Sequence, residues 1–157
     1  MGYPVLPRSV YYLGVDLGQR RNPTALALLE DTTRANGKYD AVQCRLVEER
    51  VLVLRDVRAL RLGTPYVELP RLLARYRAAL RPGMPVHLTV DATGVGAAVV
   101  ELLARAELDV ELHPVVLTGG EGVGRLKHAV TVPRAALLEN VRVRLECRDF
   151  VIPAGLR

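Results

Sequence analysis

The spacing of apolar residues changes along the chain from a strand-like to a helix-like pattern. In the first half, an apolar run ending at Asp16 is followed by a second apolar run and a long β-rich stretch. In the second half, short apolar runs alternate with segments whose apolar residues recur every three or four positions. The sequence therefore predicts an antiparallel meander followed by helix, strand, helix, strand and helix. The predicted strands of the meander are residues 10–16, 24–30 and 39–60, with a turn at Asn36-Gly37.

The elements of the second half are bounded by proline and glycine. A helix begins after Thr64-Pro65, or later because of Pro70, and ends at Arg81-Pro82-Gly83. Pro114 interrupts one predicted strand and places it near an edge of the sheet. Residues 118–130 are rich in glycine and are predicted to form a mobile loop. The remaining predicted elements are strands at 86–90 and 110–117, helices at 97–106 and 133–147, and a short extended piece at 150–153.

Length and composition are typical of one globular domain. The chain has 157 residues, of which 50% are hydrophobic and 25% are charged, and we predict a single domain over residues 1–157. No apolar run approaches the roughly 20 residues needed to cross a bilayer, so no membrane partner is predicted. The first residues lack the charged start and apolar core of a secretory signal, and two cysteines are too few for a disulfide framework. We expect a cytoplasmic protein with reduced thiols.

The basic residues are strongly biased towards arginine. The formal net charge is +5, and the 22 basic residues include only two lysines, Lys38 and Lys127. One interpretation of this bias is the codon usage of a GC-rich genome, and the other is phosphate contact, because a guanidinium holds phosphate with two hydrogen bonds at once. The charge is therefore compatible with nucleic acid without demonstrating it. An aromatic content of 4% argues against a surface on which single-stranded bases stack.

Two aspartates carry the candidate chemistry. Asp16 ends one apolar run and Asp91 ends another, and a glycine-bearing turn follows each. Carboxylates rarely enter apolar surroundings unless they are paired, hydrogen-bonded or bound to a metal. If the two strands are neighbours, about 4.8 Å apart, the carboxylates meet at the carboxyl edge of the sheet, where such folds bind ligands. There they are placed to bind one divalent cation or to flank two, and Mg²⁺ suits such a site.

Each of these residues also has a structural interpretation. Asp16 can cap the turn at Leu17-Gly18, and either Asp91 or Thr93 can be the N-cap of the following helix. Thr93 and Gly94, at a helix start, can hold a phosphate on their backbone amides. Lys127, beside the glycine-rich loop, can contact a scissile phosphate, although a solvated loop charge is the simpler explanation.

Other reactive side chains form no recognisable motif. Ser9 is the only serine, and neither cysteine lies in a nucleophile motif. The histidines have no spacing typical of a zinc site, and the first is interpreted as a structural residue of its strand. The three histidines are His87, His113 and His128. The aspartates therefore remain the candidate site.

Four stretches of the sequence resemble the nuclease domain of phage large terminases. Residues Gly14–Ala27 resemble the opening of that domain, and Val90–Gly96 resemble its second acidic motif. Leu62–Tyr66 and Thr131–Arg134 also fit patterns of the family. The similarity extends from about residue 11 to residue 152, and the combination is more specific than any one motif.

The resemblance implies a fold, an activity and a site. The family's domain is a ribonuclease H-like α/β fold, with a mixed central sheet of an antiparallel meander followed by parallel strands, flanked by helices. It implies a metal-dependent endonuclease that cuts concatemeric phage DNA during genome packaging with two Mg²⁺ or Mn²⁺ ions. Asp16 and Asp91 are then the catalytic metal ligands. The implied partners are double-stranded DNA and other packaging components, in the cytoplasm of a bacterium that carries the phage or prophage.

The chain departs from the family in two respects. The family's third acid lies in a C-terminal helix, usually in an Asp-Asp-Leu-like stretch, and we expect this chain to be truncated before that helix. Glu139 and Glu146 lie on the last predicted helix, but no family motif supports either as a substitute. The packaging ATPase that normally precedes the nuclease is also missing from this sequence.

Three alternatives stay open. An inert prophage remnant or a DNA-binding module of the same fold agrees with the missing third acid. A nucleotide-binding fragment of the actin and heat-shock ATPase type shares the Gly-x-Asp-x-Gly opening, although those proteins need two such domains. A Holliday-junction resolvase of the same fold is a further nuclease alternative.

Overall fold

The chain folds around one mixed β-sheet. The computed structural model describes residues 9–18 and 21–156. In these residues the fold is α/β, with eight strands in one sheet and three α-helices. A 3₁₀ turn at Tyr66–Glu68 precedes the first helix, whose first turn contains Pro70. The strands are β1 (Val10–Asp16), β2 (Ala25–Asp40), β3 (Arg45–Ala59), β4 (Val86–Asp91), β5 (Glu111–Thr118), β6 (Gly124–Leu126), β7 (Ala129–Pro133) and β8 (Phe150–Val151), and the helices are α1 (Leu69–Ala79), α2 (Gly96–Ala104) and α3 (Arg134–Glu146).

The order of the strands confirms the predicted change from antiparallel to parallel pairing. The sheet runs β6-β7-β5-β4-β1-β2-β3-β8. β1, β2 and β3 form the antiparallel meander, whereas β4 joins β1 in parallel and β5 joins β4 in parallel. Helical crossovers between parallel strands place the carboxyl ends of β1, β4 and β5 at the same edge of the sheet.

One face of the sheet carries the apolar core. Alternate residues of the central strands point to this face, where α1 and α2 cover them. Each helix contributes two leucines or valines at helical spacing, which is why the predicted amphipathic segments form helices here. The core residues are Tyr11, Leu13, Val15, Leu26, Leu28, Leu69, Leu73, Val86, Leu88, Val90, Val99 and Leu103.

A buried carboxylate closes one end of this core. The side chain of Glu30 accepts a hydrogen bond from Ser9 Oγ at 2.6 Å and an ion-paired hydrogen bond from Arg55 Nε at 2.7 Å. Burial raises the pKa of Glu30. The hydrogen bonds from Ser9 and Arg55 and the charge of Arg55 lower it by a larger amount, so the pKa of Glu30 lies below its ordinary value. Glu30 is therefore a charged, partnered group with a structural role.

The second face of the sheet is more open. α3 contacts β7 and β8 and contains no buried residue. Its apolar side chains, including Leu137, Leu138 and Val141, are exposed rather than packed. Tyr12, His87 and His113 on this face are only partly buried, whereas Asp31 of β2 is buried in an ion pair with Arg50.

The predicted turn at Asn36-Gly37 is wrong. β2 continues through these residues to Asp40, and the chain reverses at residues 41–44 instead. The pairing of β2 with β3 shifts register between Ala35 and Tyr39, and Gly37 takes a positive φ of 81° within this bulge. The Asn-Gly dipeptide therefore lies in a bulge inside a long hairpin. The turn that follows is held by Asp40, whose side chain accepts hydrogen bonds from the amides of Val42 and Gln43.

Two predictions about β5 and its neighbourhood are also wrong. β5 is not an edge strand, since it lies between β4 and β7. Pro114 is accommodated because pairing with β7 begins only at Val115, so the strand has no partner on that side at Pro114. The glycine-rich segment 118–130 is not one loop: it contains β6 and the first residues of β7, which form a hairpin.

Candidate functional site

The two predicted aspartates end neighbouring parallel strands. β1 pairs with β4 so that Val15 lies beside Val90, and each aspartate follows its valine. Both aspartates remain in the sheet, because Asp16 pairs with Ala25 on β2 and Asp91 pairs with Val115 on β5. The spacing between adjacent strands is about 4.8 Å. Asp16 and Asp91, which we call the acid pair, therefore end adjacent strands at the centre of the sheet.

Both carboxylates face the open side of the sheet. Val15 and Val90 point into the core and are only 4% and 0% exposed. Successive residues of a strand point to opposite faces, so Asp16 and Asp91 both point away from the core. Asp16 is exposed and Asp91 is half-buried. The two side chains share one face and one edge, with access from solvent.

A local hydrogen bond occupies only one of the two carboxylate oxygens of Asp91. Its Oδ1 accepts the backbone amide of Thr93 at 2.9 Å, which leaves its Oδ2 for another partner. The N-cap of α2 is Val95, without a side-chain cap, so the interpretation of Asp91 or Thr93 as that cap is wrong. The turn is set instead by its glycines. Gly94 has a φ of +60°, and a Cβ at Gly96 would lie 2.1 Å from the carbonyl oxygen of Asp91.

The turn after Asp16 is equally tight. A Cβ on Gly18 would lie 2.2 Å from the carbonyl oxygen of Asn22. The amide of Gly18 donates to Thr24 Oγ1 at 3.0 Å, and its carbonyl accepts the hydroxyl of Tyr66. Tyr66 belongs to the stretch Leu62–Tyr66, so two of the motifs singled out in the sequence meet at this edge of the sheet.

Two adjoining clefts extend from this edge. The smaller, about 290 Å³, is lined by Gly18, Thr24 and Arg61 among others. The larger, about 510 Å³, shares Arg61 with it and is also lined by Arg71 and Arg75 of α1. Among residues 9–18 and 21–156, no ion pair involves these three arginines. We call this surface the arginine cleft.

The predicted phosphate contacts are divided between two places. Thr93 and Gly94 are exposed in the turn beside Asp91. Lys127 lies in the turn between β6 and β7, in a pocket lined by His113 rather than by either aspartate. All three remain predictions, but only Thr93 and Gly94 lie next to the acid pair.

No third carboxylate gathers at the acid pair within the described part of the chain. There, only one group of three or more potential metal ligands lies close together, and it does not include Asp16 or Asp91. Glu139 and Glu146, the acids of the last helix, both contact Arg142 on their own helix. The structure therefore gives neither glutamate a place beside the aspartates.

The close group consists of two histidines whose spacing in the sequence forms no zinc motif and one glutamate. His87 of β4 and Glu111 and His113 of β5 place one ligand atom each within 4.8 Å of one another. These residues form a candidate metal-binding triad, the His–Glu–His triad. Residue spacing along the chain gave no zinc motif because the ligands come from two strands. The sign of this site in the sequence was that His87 and His113 lie in two consecutive predicted strands, which a strand–helix–strand unit pairs in parallel.

No family model and no curated protein matches this chain. In the described residues, no helix has the length and apolar character that crossing a bilayer requires.

Proposed function

We propose that this chain is a ribonuclease H-like, metal-dependent DNA endonuclease domain, similar to the nuclease of phage large terminases. The observation that carries the proposal is the register of β1 and β4, in which Val15 and Val90 are partners and an aspartate follows each. Two carboxylates on one face at the carboxyl edge of a mixed sheet are the arrangement that the family resemblance requires. By the same resemblance the substrate is concatemeric phage DNA, cut in the bacterial cytoplasm together with other packaging components.

The donor set of the acid pair suits Mg²⁺ or Mn²⁺. Both ligands are hard carboxylate oxygens, and Mg²⁺ needs few protein ligands because it keeps several waters. Bound ions supply an activated water and stabilise the leaving oxygen of the phosphodiester. The chain contributes the two negative charges, their position at the ends of adjacent strands, and the tight glycine turns that follow each strand.

The arginine cleft supports a nucleic-acid substrate. Arg61 follows the end of β3, and Ala59 of β3 pairs with Ala25, which in turn pairs with Asp16. The cleft therefore begins at the same edge of the sheet as the acid pair, on the side covered by α1, whereas the two carboxylates point to the opposite face. Guanidinium groups at this edge can bind phosphates of a duplex that passes over it, and the net charge of +5 has the matching sign.

A second candidate function follows from the incomplete ligand set. Within the described residues no third acid approaches Asp16 and Asp91, and this favours a DNA-binding module of the same fold that does not cut. The two functions share the arginine cleft and differ only in catalysis.

Plasmid nicking separates these functions. We expect the chain to nick supercoiled DNA with Mn²⁺ or Mg²⁺ and to stop in chelator. Asp16→Asn and Asp91→Asn should each lower the rate at least about 100-fold, because each removes a ligand of ions that contribute several kcal/mol to the transition state. Asp109→Asn is the control, since this exposed aspartate pairs with Arg77 away from the site.

Duplex binding, measured by fluorescence anisotropy, completes the test. Binding without metal-dependent nicking supports the second function and excludes the first. Nicking that survives both aspartate substitutions contradicts the assigned site. A chain that neither binds nor cuts duplex DNA overturns both functions.

A further inference from the structure

The His–Glu–His triad lies on the open face of the sheet. β4 and β5 are parallel, and His87 pairs with Glu111. Glu111 and His113 are two residues apart on β5, so all three side chains point to the same face. Exposure rises from His87 to Glu111: 25% of the His87 side chain, 40% of the His113 side chain and 66% of the Glu111 side chain are accessible. An ion can therefore reach the triad from solvent.

The ligand atoms converge on one point. His87 Nδ1 lies 2.8 Å from His113 Nε2. The carboxylate of Glu111 lies 3.3 Å from His87 Nδ1 through Oε2 and 3.5 Å from His113 Nε2 through Oε1. Metal–nitrogen bonds of about 2.0–2.1 Å separate two nitrogens by about 2.9 Å at right angles and about 3.3 Å in a tetrahedron. The triad thus needs only small side-chain movements to surround an ion.

A neighbouring aromatic ring orients one of the ligands. Tyr12 of β1 stacks on His87 with ring centroids 5.1 Å apart and planes inclined by 16°. This contact restricts the rotation of the imidazole and keeps its Nδ1 directed at His113. Orientation of ligands by their neighbours is a general property of metal sites in proteins.

The chemistry of the donors selects the metal. Two imidazole nitrogens and one carboxylate favour a first-row transition ion over Mg²⁺ or Ca²⁺, which prefer oxygen. Three protein ligands leave at least one position for water, as in exposed zinc sites. The triad and the acid pair use different residues: Asp91 lies four residues beyond His87 on β4, about 13 Å away at the usual rise of a strand, and two residues beyond Thr89, the partner of His113.

We propose that His87, Glu111 and His113 bind one Zn²⁺ or a similar first-row transition ion, at a site independent of the acid pair. The bound ion joins β4 to β5 and keeps a solvent-facing coordination position. Because the ion binds the folded chain, it raises the thermal stability of the fold by mass action.

Zinc affinity of the whole chain tests this site. We expect stoichiometric Zn²⁺ binding by calorimetry against a competing chelator, unaffected by millimolar Mg²⁺. His113→Gln and Glu111→Gln should each weaken binding at least about 10- to 100-fold, and Co²⁺ should give a d–d spectrum that each variant alters. Glu111 is exposed, so its variant is expected to fold, which circular dichroism verifies. His128→Asn, in the neighbouring turn, and Asp16→Asn should bind Zn²⁺ like the wild type.

The outcomes are distinct from those of the nicking assay. Absence of stoichiometric Zn²⁺ binding, or equal affinity in the wild type and both triad variants, overturns the zinc site and leaves a hydrogen-bonded surface cluster. Neither result bears on cleavage, because the acid pair is tested separately with Mg²⁺ or Mn²⁺.

Discussion

The acid pair and the His–Glu–His triad lie on the same face of the sheet but are held in place in different ways. Asp16 and Asp91 stand at strand ends, where Gly18 and Gly96 allow the backbone to pack closely behind them. The triad lies within paired strands, where the register of β4 and β5 alone brings its members together. The acid pair therefore depends on the packing of two turns as well as on the register of β1 and β4, whereas the triad depends on strand pairing alone.

The largest expected difference comes from the turn behind Asp91. In Gly96→Ala the new Cβ would lie 2.1 Å from the carbonyl oxygen of Asp91, so α2 and the end of β4 must separate. A displacement of about 1 Å at a reacting group costs about 100-fold in rate, and we expect that loss in plasmid nicking. Overpacking should also lower the free energy of unfolding by about 1–3 kcal/mol.

Measuring the Zn²⁺ affinity of the same variant shows whether the change affects the acid pair alone or the His–Glu–His triad as well. Zn²⁺ affinity of Gly96→Ala should stay within about twofold, because β4 and β5 keep their register. Gly119→Ala is the matched control, since a Cβ there meets nothing within 4 Å. Equal loss at both sites, or no loss of nicking, would show that the glycine turn does not position Asp91.

A smaller effect is expected from the arginine cleft. Arg61 lines both clefts at the edge of the acid pair. Arg61→Gln should weaken duplex binding roughly 10-fold near 0.1 M salt and reduce the log–log salt slope by about 0.9, the amount for one lost phosphate contact. Arg105→Gln, an exposed arginine at the end of α2, is the control for general charge. Anisotropy titrations over a range of salt measure both values, and an unchanged slope for Arg61→Gln would remove the cleft from the DNA surface.

The smallest expected effect concerns Glu30, a carboxylate held for structure alone. Its folded pKa is lowered, so it stabilises the fold above its ordinary pKa of 4.5, and this contribution is lost as the pH falls through the folded value. Glu30→Gln should therefore reduce the free energy of unfolding by about 1 kcal/mol at pH 7, and the difference from wild type should shrink below pH 4.5.

Urea denaturation at several pH values measures the Glu30 difference. Glu49→Gln is the control, because Glu49 forms an exposed pair with Arg34 whose contribution is small. A Glu30→Gln difference that persists unchanged at pH 3 would contradict the charged, partnered state of this carboxylate.

The sequence was sufficient for features that local chemistry encodes. Apolar runs ending at Asp16 and Asp91 predicted two strands, and β1 and β4 end at those residues. Thr64-Pro65 and Pro70 marked the start of the first helix within a few residues. Such features depend on the residues that form them and on their immediate neighbours.

Features set by distant pairing could not be predicted from local patterns. His87 and His113 are 26 residues apart and meet only because β4 and β5 adopt one register out of several. Pro114 predicted an edge strand, yet β5 pairs with β7 from Val115 onwards. The turn predicted at Asn36-Gly37 is wrong for the same reason, since the long pairing of β2 with β3 outweighs the local preference of Asn-Gly for a turn.

The most direct test of the account is a crystal structure of the whole chain soaked in Mn²⁺, with anomalous data. The account predicts anomalous density between the carboxylates of Asp16 and Asp91, in contact with both, and its loss in Asp91→Asn crystals. Density confined to the His–Glu–His triad, or aspartate side chains turned away from one another with no ion between them, would contradict it.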